Sequence, residues 1–173
     1  MKKDFLLSII IPVYNEEANI SPLLEKLLPI VKQYNYEVVF INDGSTDAST
    51  KEILKHTKNT SVKLVEFNRN FGHQMALSCG YSLAKGDAVI SMDADLQDPP
   101  EIIKEMINKW QEGSMIVYAQ RSERGVDSII KRWSAQRFYS FINMLSDTPI
   151  PQDVGDFRLL DRQVVNYLNA LPE

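Results

Sequence analysis

Two carboxylates stand two residues apart at the end of an apolar, β-branched run, Asp87-Ala88-Val89-Ile90-Ser91-Met92-Asp93-Ala94-Asp95. A third, Asp98, comes just before the pair Pro99-Pro100, which opens a helical pattern. The run reads as a buried strand that delivers acid groups to its C-terminal edge. Side chains at i and i+2 share one side if the strand continues, and converge if it breaks into a turn. Either geometry suits a hard divalent cation, because Mg²⁺ or Mn²⁺ favours one or two carboxylates together with substrate phosphates. Gln97 adds a neutral oxygen nearby. The bland expectation, that these acids are solvated or cap the next helix, competes with this one, since Asp-x-Asp alone is a weak signal.

The elements around this stretch alternate. Leu6 to Val13 is continuously apolar, as a parallel strand covered on both faces requires. Ile20, Leu23, Leu24, Leu27, Leu28 and Val31 then recur at helical spacing, with Ser21-Pro22 as the expected N-cap and first-turn proline. A second strand over Tyr36 to Asn42 ends at the turn Asp43-Gly44-Ser45-Thr46-Asp47, followed by a helix to about His56. A third strand, Val62 to Phe67, runs into Asn68-Arg69-Asn70-Phe71-Gly72, and a helix over Gln74 to Lys85 stops at Gly86. The Asp87–Asp95 run is the fourth strand. An amphipathic helix from Glu101 to Trp110 and a fifth strand from Met115 to Ala119 follow. Such alternation predicts an α/β fold with a mainly parallel sheet, whose ligand lies beyond the strands' C-terminal ends.

After Gln120 the character changes. Arg121, Arg124, Lys131, Arg132 and Arg137 concentrate positive charge, while Ile130, Trp133, Phe138, Phe141, Ile142 and Leu145 keep helical spacing. An amphipathic helix over 128–146 with a basic flank is expected, packed on the sheet or lying in a membrane interface. A proline-containing loop, Asp147 to Asp153, leads to Gly155-Asp156-Phe157-Arg158-Leu159-Leu160-Asp161 and a last short helix.

With 173 residues and 44% hydrophobic content the chain can bury one sizeable core, so a single domain over 1–173 is expected. A net charge of −4 argues against a nucleic-acid binder. The lone Cys79 cannot form an internal disulfide, which suits a reduced, cytoplasmic setting, and it reads as a small core residue. Phe5 to Ile11 after Lys2-Lys3 imitates a signal peptide, but the run is short, Asp4 interrupts the basic start and Pro12 leads into polar residues. No apolar stretch approaches a bilayer-spanning length. His56 and His73 lack the partner pattern of a metal site and read as structural or exposed.

Four motifs together carry a resemblance: Ile11-Pro12-Val13-Tyr14-Asn15-Glu16, Asn42-Asp43-Gly44-Ser45-Thr46-Asp47, Asp93-Ala94-Asp95-Leu96-Gln97-Asp98-Pro99-Pro100-Glu101 and Gly155-Asp156-Phe157-Arg158-Leu159. In this order they resemble the inverting family 2 glycosyltransferases, and most closely the polyprenyl-phosphate group, dolichol-phosphate mannose synthases and bacterial undecaprenyl-phosphate glycosyltransferases. The resemblance implies a GT-A-like, Rossmann-type fold. It implies that Pro12, Tyr14, Glu16 and Asp43 line the nucleotide pocket of a UDP- or GDP-hexose, with Asp43 near the base. It further implies that Asp93, Asp95 and Gln97 hold the divalent metal, Mn²⁺ or Mg²⁺, and the sugar diphosphate. In such relatives membrane-associated helices usually follow the catalytic domain; none occurs here, so a truncated chain acting at the cytoplasmic face of the membrane is expected. These residues specify no oligomeric state, and a homo-oligomer is compatible with them.

The acceptor follows from proton inventory. A sugar hydroxyl must lose a proton as it attacks and needs a positioned base. A phosphate monoester, with a second pKa of about 6, is already a nucleophile at neutral pH and needs cations to hold it. The basic cluster fits the second demand, because Arg pairs bidentately with phosphate. Arg121, Arg132 and Arg137 are therefore expected at the acceptor phosphate, Arg121 first because it follows a strand end, while solvated surface charge is the alternative. Asp95, Asp156 and Arg121 are the expected catalytic set. Asp156 stays ambiguous between a base, a group orienting the acceptor or an arginine, and a local cap. Two other functions compete: transfer to a glycan or other soluble acceptor, and a non-catalytic nucleotide-sugar-binding module. A dinucleotide oxidoreductase is disfavoured because no G-x-G-x-x-G follows the first strand, and a sugar-nucleotide pyrophosphorylase because no Gly-rich basic loop does.

Overall fold

A computed structural model describes residues 4–120 and 154–171. Strand β1 (Leu6–Val13), helix α1 (Glu17–Val31), β2 (Asn35–Asn42), α2 (Ser49–His56), β3 (Val62–Glu66), α3 (His73–Leu83) and β4 (Ala88–Ser91) come in the alternation read from the sequence. A single 3₁₀ turn (Pro100–Ile102) opens α4 (Ile103–Gln111), then β5 (Ile116–Gln120), β6 (Val154–Asp161) and α5 (Arg162–Ala170) follow. Contacts divide the chain into residues 1–118 with 156–173 and residues 119–155. The site below lies in the first unit. The expected helix over 128–146 and the basic residues Arg121, Arg124, Lys131, Arg132 and Arg137 lie outside the described residues. Among the described residues no helix is long and apolar enough to cross a membrane.

The six-stranded sheet has the order β3-β2-β1-β4-β6-β5. β1 pairs in parallel with β2 and β4, and β2 with β3. Because β2 and β3 lie on one side of β1 and β4 on the other, the strand order reverses between β1 and β4. Right-handed crossovers then send α1 and α2 to one face and α3 to the opposite one. The loops leaving β1 and β4 part at this point and leave a crevice at the C-terminal ends of the strands.

Two sequence expectations need correction. The stretch 155–161 had no strand assigned, yet β6 inserts between β4 and β5 and runs antiparallel to β4, with Ser91 opposite Arg158 and Ala88 opposite Asp161. Phe157 and Leu159 are buried and alternate with half-buried Asp156 and Arg158, the period-2 pattern of a strand. The first helix does not start at Ser21-Pro22. It begins at Glu17, with Glu16 as N-cap and Pro22 and Pro29 both inside. Each proline removes a helical N–H. Complete burial of Ile20, Leu23, Leu27 and Val31, with Leu24 almost as deep, holds the helix in place regardless.

One face of the sheet carries Ile10, Val39, Ile41, Val89 and Leu160, packed by Ala76, Leu77 and Tyr81 of α3 and Val165 of α5. Helix α3 sits so close that a Cβ on Gly80 would lie 2.2 Å from Ile10 Cγ2. Cys79 is half-buried beside this cluster rather than fully in the core, and burial raises its thiol pKa.

The opposite end of the sheet is held by a buried carboxylate. Glu37 Oε1 accepts hydrogen bonds from Ser8 Oγ (2.6 Å) and the Lys85 N–H (2.7 Å), and Oε2 accepts from Lys63 Nζ (2.6 Å). Burial pushes the Glu37 carboxyl up, but the hydrogen bonds from Lys63, Ser8 and Lys85 and the Lys63 charge outweigh it and leave its pKa lowered. A carboxyl that ionises more readily in the folded chain stabilises it above the ordinary glutamate range, and that stability is lost as pH falls through the folded value. Urea midpoints taken from about pH 7 to about pH 3 should therefore fall more steeply for wild type than for Glu37→Gln, which has no proton to take up there.

Candidate active site

Each wall of the crevice is built from a strand end. On β1, the chain leaves Val13 through Tyr14, Asn15 (φ 57°) and Glu16. Asn15 tolerates the left-handed region because its short polar side chain bonds locally: its Oδ1 accepts from the Thr46 N–H (2.8 Å) while its own N–H donates to Ser45 Oγ (3.0 Å). The Glu16 and Glu17 N–H groups donate to Ser49 Oγ (2.9 Å) and Asp47 Oδ2 (3.1 Å). The loops after β1 and β2 are thus stapled into one rim. Gly44 (φ 67°) makes that turn feasible, since a Cβ there would sit 2.4 Å from the Arg69 carbonyl carbon.

Asp43, 3% exposed, lies at the end of β2. Its Oδ1 accepts from the Phe71 N–H (2.7 Å) and its Oδ2 from the Gly72 N–H (2.9 Å). The carboxylate expected near the nucleotide base therefore also anchors the loop between β3 and α3. That anchorage fixes the start of α3, where His73 is the first helical residue.

β4 does not continue through its acids. It ends at Ser91, and the chain breaks into a turn in which the Gln97 N–H donates to Asp95 Oδ1 (3.0 Å) and Leu96 takes φ 63°. A leucine in the left-handed region is strained backbone of the kind that collects at functional sites. Asp98, read beside Asp93 and Asp95 as a strand-end acid, is buried, and its Oδ2 lies 3.4 Å from the Asp93 N–H.

The antiparallel β6 brings its N-terminal half to this same edge. Extending the Ser91–Arg158 register by two residues sets Asp156 opposite Asp93. The Asp156 carbonyl accepts from Ser91 Oγ (2.5 Å), and Asp156 Oδ2 lies 2.9 Å from His73 Nε2, whose other neighbour is Asp93 Oδ1 at 3.8 Å. A cleft of about 510 Å³ is lined by Pro12, Tyr14, Glu16, Asp43, Asp93 and Asp95 among the expected residues, and also by Asp156, Asn70 and His73. Gln97 is exposed and outside that lining.

Sequence reasoning missed His73. Its partner lies 83 residues away, and no local spacing reports such a contact. The Asp156 hydrogen bond, opposed by burial and reinforced by the charges of Asp93, Asp156 and Asp43, raises the His73 pKa. The same bond, opposed by burial and reinforced by the charges of His73 and Arg158, lowers that of Asp156. Asp93 is pushed up, chiefly by burial, with His73 opposing and the charges of Asp98, Asp95 and Asp156 adding to it.

This excess of negative charge bears on whether the site fits a divalent cation. No group of three or more acid, His or Cys ligands is gathered among the described residues. Two carboxylates in an open cleft are nevertheless the donor set that Mg²⁺ or Mn²⁺ accepts when waters and phosphate oxygens complete its shell. The residues present fit such an ion.

A parallel-rich sheet with an acid-lined crevice where its strand order reverses belongs to the GT-A-like α/β class. Solved structures with that fold include the mannosyltransferase of Pyrobaculum calidifontis in complex with GDP-mannose and Mn²⁺ (TM-score 0.68, 20% identity, 99% of this chain and 48% of that one). Another is glucosyl-3-phosphoglycerate synthase of Mycobacterium tuberculosis with UDP (TM-score 0.68, 18% identity, 92% and 58%). The family model for glycosyl transferase family 2 matches residues 8–168, and the chain belongs to that family. Similar relatives include a glycosyltransferase of Synechocystis sp., 46% identical over 170 residues, and the bactoprenol glucosyl transferase of Shigella phage SfV, 44% identical over 171. A prophage bactoprenol glucosyl transferase homolog of Escherichia coli is 44% identical over 172. Each alignment takes in 96% of this chain but only 54%, 55% and 56% of the relative, so the chain spans about half the length of these curated relatives.

Proposed function

We propose that the protein is an inverting, divalent-metal-dependent glycosyltransferase that moves a hexose from a UDP- or GDP-sugar to a polyprenyl phosphate at the cytoplasmic face of a membrane. Residues 1–173 serve as its catalytic domain. One observation carries the reading: Asp93 and Asp95 from the end of β4 and Asp156 from β6 face one cleft with Pro12, Tyr14, Glu16 and Asp43. A bound divalent ion would be held by Asp93 and Asp95 and would offset charge on the departing diphosphate. Tyr14, 47% exposed at the rim, offers a ring face to the nucleotide, and Asp43 keeps the adjoining loop in register.

The acceptor class is supported by what Asp156 lacks. Its Oδ2 is already engaged by His73 Nε2 at 2.9 Å, and that bond, with the charges of His73 and Arg158, holds the carboxyl below its usual range, which disfavours it as a proton acceptor. A hydroxyl acceptor would need a stronger base, whereas a phosphate dianion brings its own nucleophile. The names of the bactoprenol relatives point the same way. Asp156 then orients groups in the cleft rather than removing a proton, and Arg121, Arg132 and Arg137 hold the acceptor phosphate.

Incubating the full-length protein with labelled UDP-glucose or GDP-mannose, Mn²⁺ and polyprenyl phosphate in vesicles tests the reading. Label in the organic extract supports it. Label only on water-soluble glycans contradicts the acceptor.

A further inference from the structure

We propose that His73 is a positioning residue, which fastens the Asp156 carboxylate in one orientation toward the cleft and is itself set in place by Asp43. The inference rests on the reading of the cleft as a transferase site, and it adds a dependence on a histidine that none of the four sequence motifs contains.

The geometry is a relay across three elements. Both oxygens of Asp43, at the end of β2, take the N–H groups of Phe71 and Gly72. Gly72 adopts φ 99° and is the residue from which α3 starts, so its anchorage fixes where the helix begins and therefore where His73 stands. His73 Nε2 then reaches Asp156 Oδ2 at 2.9 Å, joining α3 to β6. An ionised carboxylate only accepts, so the shared proton is carried on Nε2.

Asp156 is gripped from its other side as well. Arg158 Nη2 lies 3.8 Å from Oδ1, and the Arg158 Nε–H donates to Tyr81 Oη (3.1 Å), whose own O–H donates to Ser91 Oγ (2.9 Å). With the backbone carbonyl of Asp156 also taken by Ser91, its main chain is fixed and the carboxylate torsion is what remains to be set. His73 occupies Oδ2 at close range and, among the described residues, leaves Oδ1, with Arg158 Nη2 3.8 Å from it, available to ligands in the cleft. A side chain held this way presents one rotamer, which is how a supporting residue sharpens a site without touching the reacting atoms.

Two substitutions separate this role from mere packing. Glutamine can place its Nε2 close to where the imidazole Nε2 stands, whereas asparagine is too short to reach Asp156. His73 is 41% exposed, so neither change disturbs the core. In the full-length protein, His73→Asn is expected to lower kcat by about 10- to 100-fold with the donor KM within about twofold, and His73→Gln to recover most of the loss. Combined with Asp156→Asn, His73→Asn should add nothing further, because it acts through a group already removed. Release of nucleotide from donor is followed beside transfer to lipid, so the cycle can be read whichever acceptor is used, and failure of the acceptor assignment does not imitate failure here. Losses that multiply in the double variant, an equal loss in His73→Gln, or a wild-type kcat in His73→Asn would overturn the proposal.

Discussion

Asp95→Asn is expected to lower turnover by about 10²- to 10³-fold while leaving the melting temperature within about 2 °C of wild type. The asymmetry follows from what the residue does locally. Asp95 is half-buried, and among the described residues its Oδ1 accepts the Gln97 N–H, a bond that the amide oxygen of asparagine still accepts. A change of that kind, outside the core, costs folding within about 0.5 kcal/mol. On the proposed function, the change removes one of the two cleft carboxylates assigned to the metal and diphosphate, and removal of a single pre-arranged electrostatic partner of a transition state typically costs about 10²- to 10³-fold. Steady-state transfer rates and a thermal melt on the same preparation check both halves. Comparable damage to rate and melting temperature would mean that Asp95 is a structural residue.

Asp43→Ala strikes stability and donor binding together. The carboxylate is almost fully buried and both oxygens are taken by backbone N–H groups. Alanine leaves the Phe71 and Gly72 amides without their acceptor, at about 3–6 kcal/mol for two bonds to a charged group. For a chain of this size that corresponds to a fall of about 10 °C or more in melting temperature. The loop from Asn68 to Gly72 and the first turn of α3 lose their anchor, and Asn70 and His73 line the cleft. The donor KM should rise even at temperatures where the variant is fully folded. Asp43→Asn keeps one acceptor oxygen and should lose roughly half as much stability. If alanine raised the donor KM with no change in melting temperature, the anchoring role would be wrong and a direct contact with the nucleotide would account for Asp43.

The sequence made much of this visible, for identifiable reasons. β1, β2 and β4 each carry an apolar, largely β-branched run at their centre, and complete or near-complete burial of Ile9, Ile10, Val38, Val39, Val89 and Ile90 is the physical counterpart of that pattern. Acids at strand ends were legible because composition changes abruptly where a parallel sheet meets its ligand edge. β6 was not read as a strand, although Phe157 and Leu159 alternate with Asp156 and Arg158. Its place between β4 and β5 depends on pairing with residues about 70 positions earlier, which no local window contains. The start of α1 was misplaced because Ser21-Pro22 satisfies the local rules for a cap. The actual start is fixed from outside, by Ser49 Oγ and Asp47 Oδ2 accepting the Glu16 and Glu17 N–H groups across 33 and 30 residues. His73 escaped notice on the same ground, since its significance comes entirely from β6.

Metal-dependent nucleotide binding tests the central claim most directly. Melting temperatures of the full-length wild type and of Asp95→Asn are measured with UDP and with GDP, each in the presence of Mn²⁺ and of a chelator. A ligand that binds only the folded state raises the melting temperature by mass action. The account predicts that one of the two nucleotides stabilises the wild type with Mn²⁺ and far less with chelator, and that Asp95→Asn loses the metal-dependent part. Equal stabilisation with and without Mn²⁺, or undiminished metal dependence in Asp95→Asn, would contradict it.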